Sequence, residues 1–228
     1  MDVQTAAGIL LVVAPAWFNV TFSMLAKRFD YPDILRRPTP EILERFQVGG
    51  PSLILLWWAF TVSGLLMIAA AVVLGQALGS SRIVPLAVVI GILAGLVQML
   101  GLLRWVYLVP SLARSYADPS IGPDERAAIA VAFRAFHQYL GVGLGEHLGY
   151  LLTGLWSILV SIGVLGGSVI PAWLGWPGIV IGIVLIVGSG EFLGPNEQDG
   201  WLLAGKAIPI IYIGWSLWLV AMGVTLLV

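Results

Sequence analysis

Apolar residues in this chain come in long unbroken runs, and the polar residues are gathered into short stretches between them. Six runs, at residues 5–25, 52–77, 84–111, 138–165, 170–190 and 202–227, each hold roughly what a helix needs to cross a membrane. That requirement is about 20 residues at a rise of about 1.5 Å each. None of the runs alternates polar with apolar residues, which excludes the strands of a membrane barrel. A helix satisfies its own backbone groups in lipid. The pattern predicts an all-α polytopic bundle of six transmembrane helices, built as a single domain over residues 1–228.

The polar stretches differ in charge. Those after runs one, three and five, together with the start of run six, carry Lys27, Arg28, Arg36, Arg37, Arg45, Arg114, Arg126, Arg134 and Lys206, whereas those after runs two and four carry only Arg82. Lysine and arginine collect in cytoplasmic loops, so both termini are expected outside. The first of these loops, "KRFDYPDILRRPTPEILERFQVGGP", holds a helix signal of its own. Thr39 reads as an N-cap, Pro40 as the first helical residue and Glu41 as an acid matched to the helix dipole. Ile42, Leu43 and Phe46 give it an apolar stripe, Gly49 and Gly50 end it, and Pro51 opens the second run. It is expected to lie on the membrane surface. In the second such loop Pro123, Asp124 and Glu125 mark another start, with no breaker before the fourth run, so one long helix is expected over residues 124–165.

Composition agrees with a membrane protein: 59% hydrophobic, 10% charged, ten tryptophans and a mean hydropathy of +0.99 lie outside the range of soluble domains. A formal net charge of -1 gives no field that favours nucleic acid. The absence of cysteine excludes disulfides and thiolate chemistry. The N-terminus has Asp2 and no basic residue before its apolar run, which marks a first span rather than a cleaved signal. The "NVT" at Asn19 lies inside that span, out of reach of glycosylation. Trp57, Trp58, Trp201, Trp215 and Trp218 would line an aromatic belt or an apolar pocket, with the belt favoured near the ends of runs. No internal repeat is present.

Ionisable side chains inside apolar runs are costly and mark sites with partners. Here they are Arg104, Glu146 and His147, with Glu191 at the end of run five, all placed by the topology in the cytoplasmic half. The economical pairing is Arg104 with Glu146, Glu191 or both. At about 100° per residue, Tyr139, Gly143, Glu146 and Tyr150 share one helical stripe. Gly141, Gly145 and Gly149 form a second stripe that admits close helix approach. His137 and His147 are about 15 Å apart along that helix and about 80° apart in azimuth, so they cannot share a haem or metal ion. No cofactor or metal site is expected. Trp105 stands beside Arg104 and could wall a site, and Gln98 adds a polar group at mid-depth that bonds a neighbouring helix or a ligand.

The stretches "FDYPDILRRPTPEILERF", "GLLRWVYLVPSLAR", "YLGVGLGEHLGYLLTGLW" and "GSGEFLG" resemble the bacterial integral membrane proteins grouped as domain-of-unknown-function family 4386. The resemblance runs in order over nearly the whole chain. It implies a six-helix fold in the bacterial inner membrane and brings no activity with it. Three functions stay open. The first is binding or transport of a small molecule, lipid or ion at a site formed by Arg104, Glu146, His147, Glu191, Tyr150, Tyr139, Trp105 and Gln98. The second is a structural or regulatory partner role, in which the charges lock helices together. The third is an intramembrane enzyme acting on a lipid-like substrate, for which no nucleophile or phosphate-loop motif is present. Membrane lipids are partners in each case, and a homo-oligomer is compatible with all of them.

Overall fold

The computed structural model describes residues 1–79, 81–197 and 199–228, and among them it is all helical. In chain order these are α1 (Val3–Phe29), a 3-10 turn (Asp33–Arg36), α2 (Thr39–Leu78), α3 (Val84–Tyr107) and α4 (Val109–Ala117). Next come α5 (Pro123–Phe136), a π-helical segment (His137–Leu148), α6 (Gly149–Leu165) and a 3-10 turn (Ala172–Leu174). The chain ends with α7 (Gly175–Gly188), a 3-10 turn (Gly194–Asn196) and α8 (Leu202–Leu227). Helix α1 starts where the Asp2 carboxylate accepts the Thr5 backbone N–H at 2.8 Å, and stops where Asp30 takes a left-handed conformation, φ 59°.

Among the described residues five stretches are long and apolar enough to cross a membrane: Val3–Phe29, Thr39–Leu78, Val84–Ala117, Pro123–Leu165 and Leu202–Leu227. The crossing expected at 170–190 is shorter, with its apolar helix confined to Ala172–Gly188. Pro171 holds an extended ψ of 125° and only a 3-10 turn leads into Gly175, while Ser189 and Gly190 let the chain leave at the other end. α7 alone rises about 21 Å, against a hydrocarbon core of about 30 Å. The third run divides at Leu108, because Pro110 has no N–H to continue the α3 ladder and its ring crowds the carbonyl four residues back. The helix expected over residues 124–165 does run without interruption from Pro123 to Leu165, and what the sequence left unseen is its change to π-helical hydrogen bonding over His137–Leu148.

Neighbours in space follow neighbours in sequence. α1 packs on α2, α2 on α3, α3 on both the π segment and α6, α6 on α7, α7 on α8, and α8 back on α1. The helices therefore close into a ring. The last joint is made by Gly8 and Gly223: a Cβ on either would stand 2.9 or 2.8 Å from the carbonyl oxygen of the other.

Two apolar cores fill the ring. One holds Leu11, Met67, Trp156, Leu185, Trp215, Trp218 and Met222. The other is aromatic: the Trp57 and Trp105 rings stack at 4.6 Å and 9°, with Phe29, Phe46 and Phe133 around them. Trp57, Trp215 and Trp218 are thus core residues rather than belt residues, whereas Trp58, Trp173 and Trp176 are exposed. Deleting a buried ring such as Trp105 removes about 3–5 kcal/mol from a core of this kind.

The first part of α2 is the helix that the loop signal announced. It begins one residue earlier than expected, after Pro38, with Thr39 already helical and no side-chain cap. It breaks at Gly50, φ 56°, before Pro51 opens the long part. Ile42, Leu43 and Phe46 are buried against the aromatic core. Outside it, Arg37 joins Asp30 to Glu41, the latter at 2.5 Å, and Arg45 approaches Asp30 at 3.6 Å. Exposed pairs of this sort are worth at most about 1 kcal/mol each, so the apolar stripe does most to hold the segment down.

Candidate functional site

The glycine stripe of the π segment is what brings α3 close. Gln98, Gly101 and Arg104, spaced three residues apart on α3, meet Gly149, Gly145 and Gly141 in antiparallel register. A Cβ on Gly101 would stand 2.7 Å from the Gly145 Cα, and one on Gly141 would stand 2.6 Å from Arg104 Nη2. The guanidinium therefore lies on the backbone of the π segment. Side chains that faced one way at 100° per residue are redistributed, because π-helical bonds reach five residues rather than four. Tyr139 is 68% exposed, whereas Gly143, Glu146 and Tyr150 line a pocket on the far side from α3.

That pocket has a volume of about 120 Å³. One wall is the π segment and the start of α6, with Gln138, Val142, Gly143, Glu146, His147 and Tyr150. The other is the turn after α7, with Ser189, Glu191, Phe192 and Leu193. Backbone bonds fix the turn: the Glu191 N–H donates to the Gly188 carbonyl at 3.0 Å, and the Glu191 carbonyl accepts the Trp201 N–H at 2.7 Å. His147 Nδ1 lies 2.7 Å from the Ser189 carbonyl oxygen. A carbonyl only accepts, so Nδ1 carries the hydrogen and, in the neutral ring, Nε2 is an acceptor.

Glu191 is 9% exposed, and neither it nor Glu146 has a cation within 4.0 Å among the described residues. A Cβ on Gly205 would stand 2.8 Å from Glu191 Oε1 and 3.3 Å from Arg36 Nη2, so the carboxylate and that guanidinium face each other across a glycine. Burial holds the Glu191 carboxyl above its ordinary value, and Arg36 pulls it the other way.

Arg104 does not do what the sequence suggested. The expected ion pair with Glu146 or Glu191 is absent among the described residues. The guanidinium is 6% exposed, its Nη1 donates to the Gly101 carbonyl of its own helix, and its Nε has no partner. It stands 5.3 Å from the centre of the Trp105 ring, within reach of a cation–π interaction. The reason for the miss is geometric. The π segment shows Gly141 to α3 and turns Glu146 to the pocket, so the two charges stay more than 4.0 Å apart and interact only through space.

Glu146, His147, Tyr150 and Glu191 therefore meet at one site. Trp105 is packed in the aromatic core, Gln98 donates to Thr153 Oγ1 at 2.9 Å, and Tyr139 points away. His137 stacks on Phe133 at 5.6 Å, far from His147. Among the described residues no group of three His, Asp or Glu could hold a metal ion. Sequence reasoning missed Gln138 and Ser189 in the lining, and Arg36, Tyr31 and Tyr212 among the groups whose fields reach Glu146 or Glu191. Arg36 and Tyr31 belong to the "FDYPDILRR" stretch of the first polar loop.

Chemically the pocket is rich in acceptors. It can hold a cation or exchange a proton.

No curated protein and no solved structure matches the chain. The ring of apolar helices is that of a membrane protein, and the four sequence stretches that carry the resemblance fall within it. The chain belongs to the family described as domain of unknown function (DUF4386), whose model matches residues 6–223.

Proposed function

We propose that the protein is a multi-pass protein of the bacterial inner membrane that binds a small molecule, a lipid headgroup or an ion in the pocket between the π segment and the turn after α7. The excess of Lys and Arg in the loops after α1 and α3 puts those loops in the cytoplasm and both termini outside. The pocket then opens in the cytoplasmic half of the bundle, near the surface helix at the start of α2.

One observation carries this reading. Glu146 and Glu191 share a pocket of about 120 Å³ with His147 and Tyr150, and among the described residues neither carboxylate is paired. Withdrawing a carboxylate from water costs several kcal/mol unless something compensates it. A bound group supplies that compensation. A pure helix lock would instead join opposite charges across helices, and Arg104 bonds its own helix.

The test is native mass spectrometry of the protein extracted with its membrane lipids, comparing wild type with Glu146→Gln. Wild type should retain a small molecule or lipid that the variant loses while it stays folded. A wild-type protein that retains nothing of any class overturns the reading.

A further inference from the structure

Resting on that binding reading, we infer that the group the pocket takes is a primary alkylammonium, –NH3⁺, either on a free small amine or on an ethanolamine lipid headgroup. Acceptors lead the polar lining of the pocket, with Gln138 and Tyr150 able both to donate and to accept and the Ser189 hydroxyl donating to the Ile186 carbonyl. Glu146 and Glu191 bring carboxylates, and His147 brings Nε2, because its Nδ1 hydrogen is committed to the Ser189 carbonyl. Glu191 is nine-tenths buried, lines the pocket and has no hydrogen-bond or ion-pair partner among the described residues. An ammonium carries three N–H donors and one positive charge, so one carboxylate and a neighbouring acceptor can hold it without the converging ligand set that a metal ion needs.

Other cations fit less well. A metal ion needs converging ligands, and among the described residues no group of three His, Asp or Glu is placed to supply them. A trimethylated ammonium has no N–H to give these acceptors, and it is recognised by an aromatic cage, of which only Tyr150 and Phe192 are present. The two arginines nearby leave room for a further cation. Arg36 offsets Glu191 from across Gly205 without closing on it, and Arg104, which is not part of the pocket lining, rests against Gly141, the Gly101 carbonyl and the Trp105 ring. A volume of about 120 Å³ accommodates the ammonium and its first carbons.

The experiment uses the full chain in nanodiscs and reads two probes. The first is calorimetric titration with ethanolamine and, as a cation without N–H donors, tetramethylammonium. The second is native mass spectrometry after reconstitution in phosphatidylcholine with or without phosphatidylethanolamine.

Ethanolamine should bind at least ten-fold more tightly than tetramethylammonium, or phosphatidylethanolamine should be retained in preference to phosphatidylcholine. The first result alone identifies a free amine, and the second identifies the lipid. Glu146→Gln and Glu191→Gln should each abolish the preference, while Arg45→Gln, on the loop surface, keeps it. Gly143→Leu is a second route that spares the carboxylates: a Cβ there would meet only the Gln138 carbonyl, at 3.6 Å, so the larger side chain fills the pocket without a backbone clash. It too should lose the ligand.

If wild type retains a ligand without an N–H ammonium, or makes no distinction between the paired probes, the ammonium assignment is overturned while the binding reading survives. If it retains nothing, both fall.

Discussion

Glu191 shows how far a single residue can be read before the fold is known. Its place at the end of an apolar run marked it as costly, and that much follows from the price of a carboxylate away from water. Its partner was not legible. The cation that faces it is Arg36, from the loop after α1, and nothing along the chain says that this loop and the turn after α7 meet across Gly205. Burial raises the Glu191 pKa, opposed by Arg36, so the folded state holds the neutral acid more readily than the unfolded chain does. The carboxyl is therefore tolerated without penalty below the unfolded value, and stability is lost as the pH rises through the higher folded value. Glu191→Gln, which cannot ionise, should melt a few degrees above wild type at pH 8, and the gap should close toward pH 4. Thermal unfolding at the two pH values in one detergent checks it, and an equal gap at both would refute the sign.

Among the elements, the α3 crossing was the most legible. Glycines at positions 141, 145 and 149 announce a face made for close approach, and α3 lies on that face. Hydrogen bonding inside the helix was not legible, because no residue type encodes a five-residue reach; the glycines only permit it. The crossing makes a graded prediction. An added methyl on Gly101 would meet the Gly145 Cα at 2.7 Å, which is backbone and cannot step aside, while one on Gly149 would meet Gln98 Cγ at 3.0 Å, which is side chain and can. Gly101→Ala should cost about 1–3 kcal/mol through overpacking, and Gly149→Ala clearly less. Comparing the two by thermal unfolding settles the point, and equal losses would show that the backbone approach does not limit packing. The break at Leu108 could have been taken from Pro110, whereas the shortness of α7 needed Pro171 and the Ser189–Gly190 exit to be weighed together.

At the level of the molecule, the runs of apolar residues gave the ring its helices, and their order in the chain became their order in space. Closure was hidden, since nothing along the sequence says that Gly8 and Gly223 will meet. The proposed orientation can be tested directly because the chain has no cysteine of its own. Ser168→Cys, in the exposed turn after α6, should react with a membrane-impermeant maleimide on intact cells. Ser120→Cys, in the exposed loop before α5, should react only after the membrane is opened. The reverse pattern would invert the topology and move the pocket to the outer half.

The rod from α5 through α6 is 43 residues long, and its middle twelve are wound more widely than the rest. A wider winding rises less per residue, so the rod contains more chain than its length shows. In mechanical terms that is slack. Rewinding the segment to α geometry would lengthen the rod and rotate α5 about its axis, with no bond in the α6 ladder having to break.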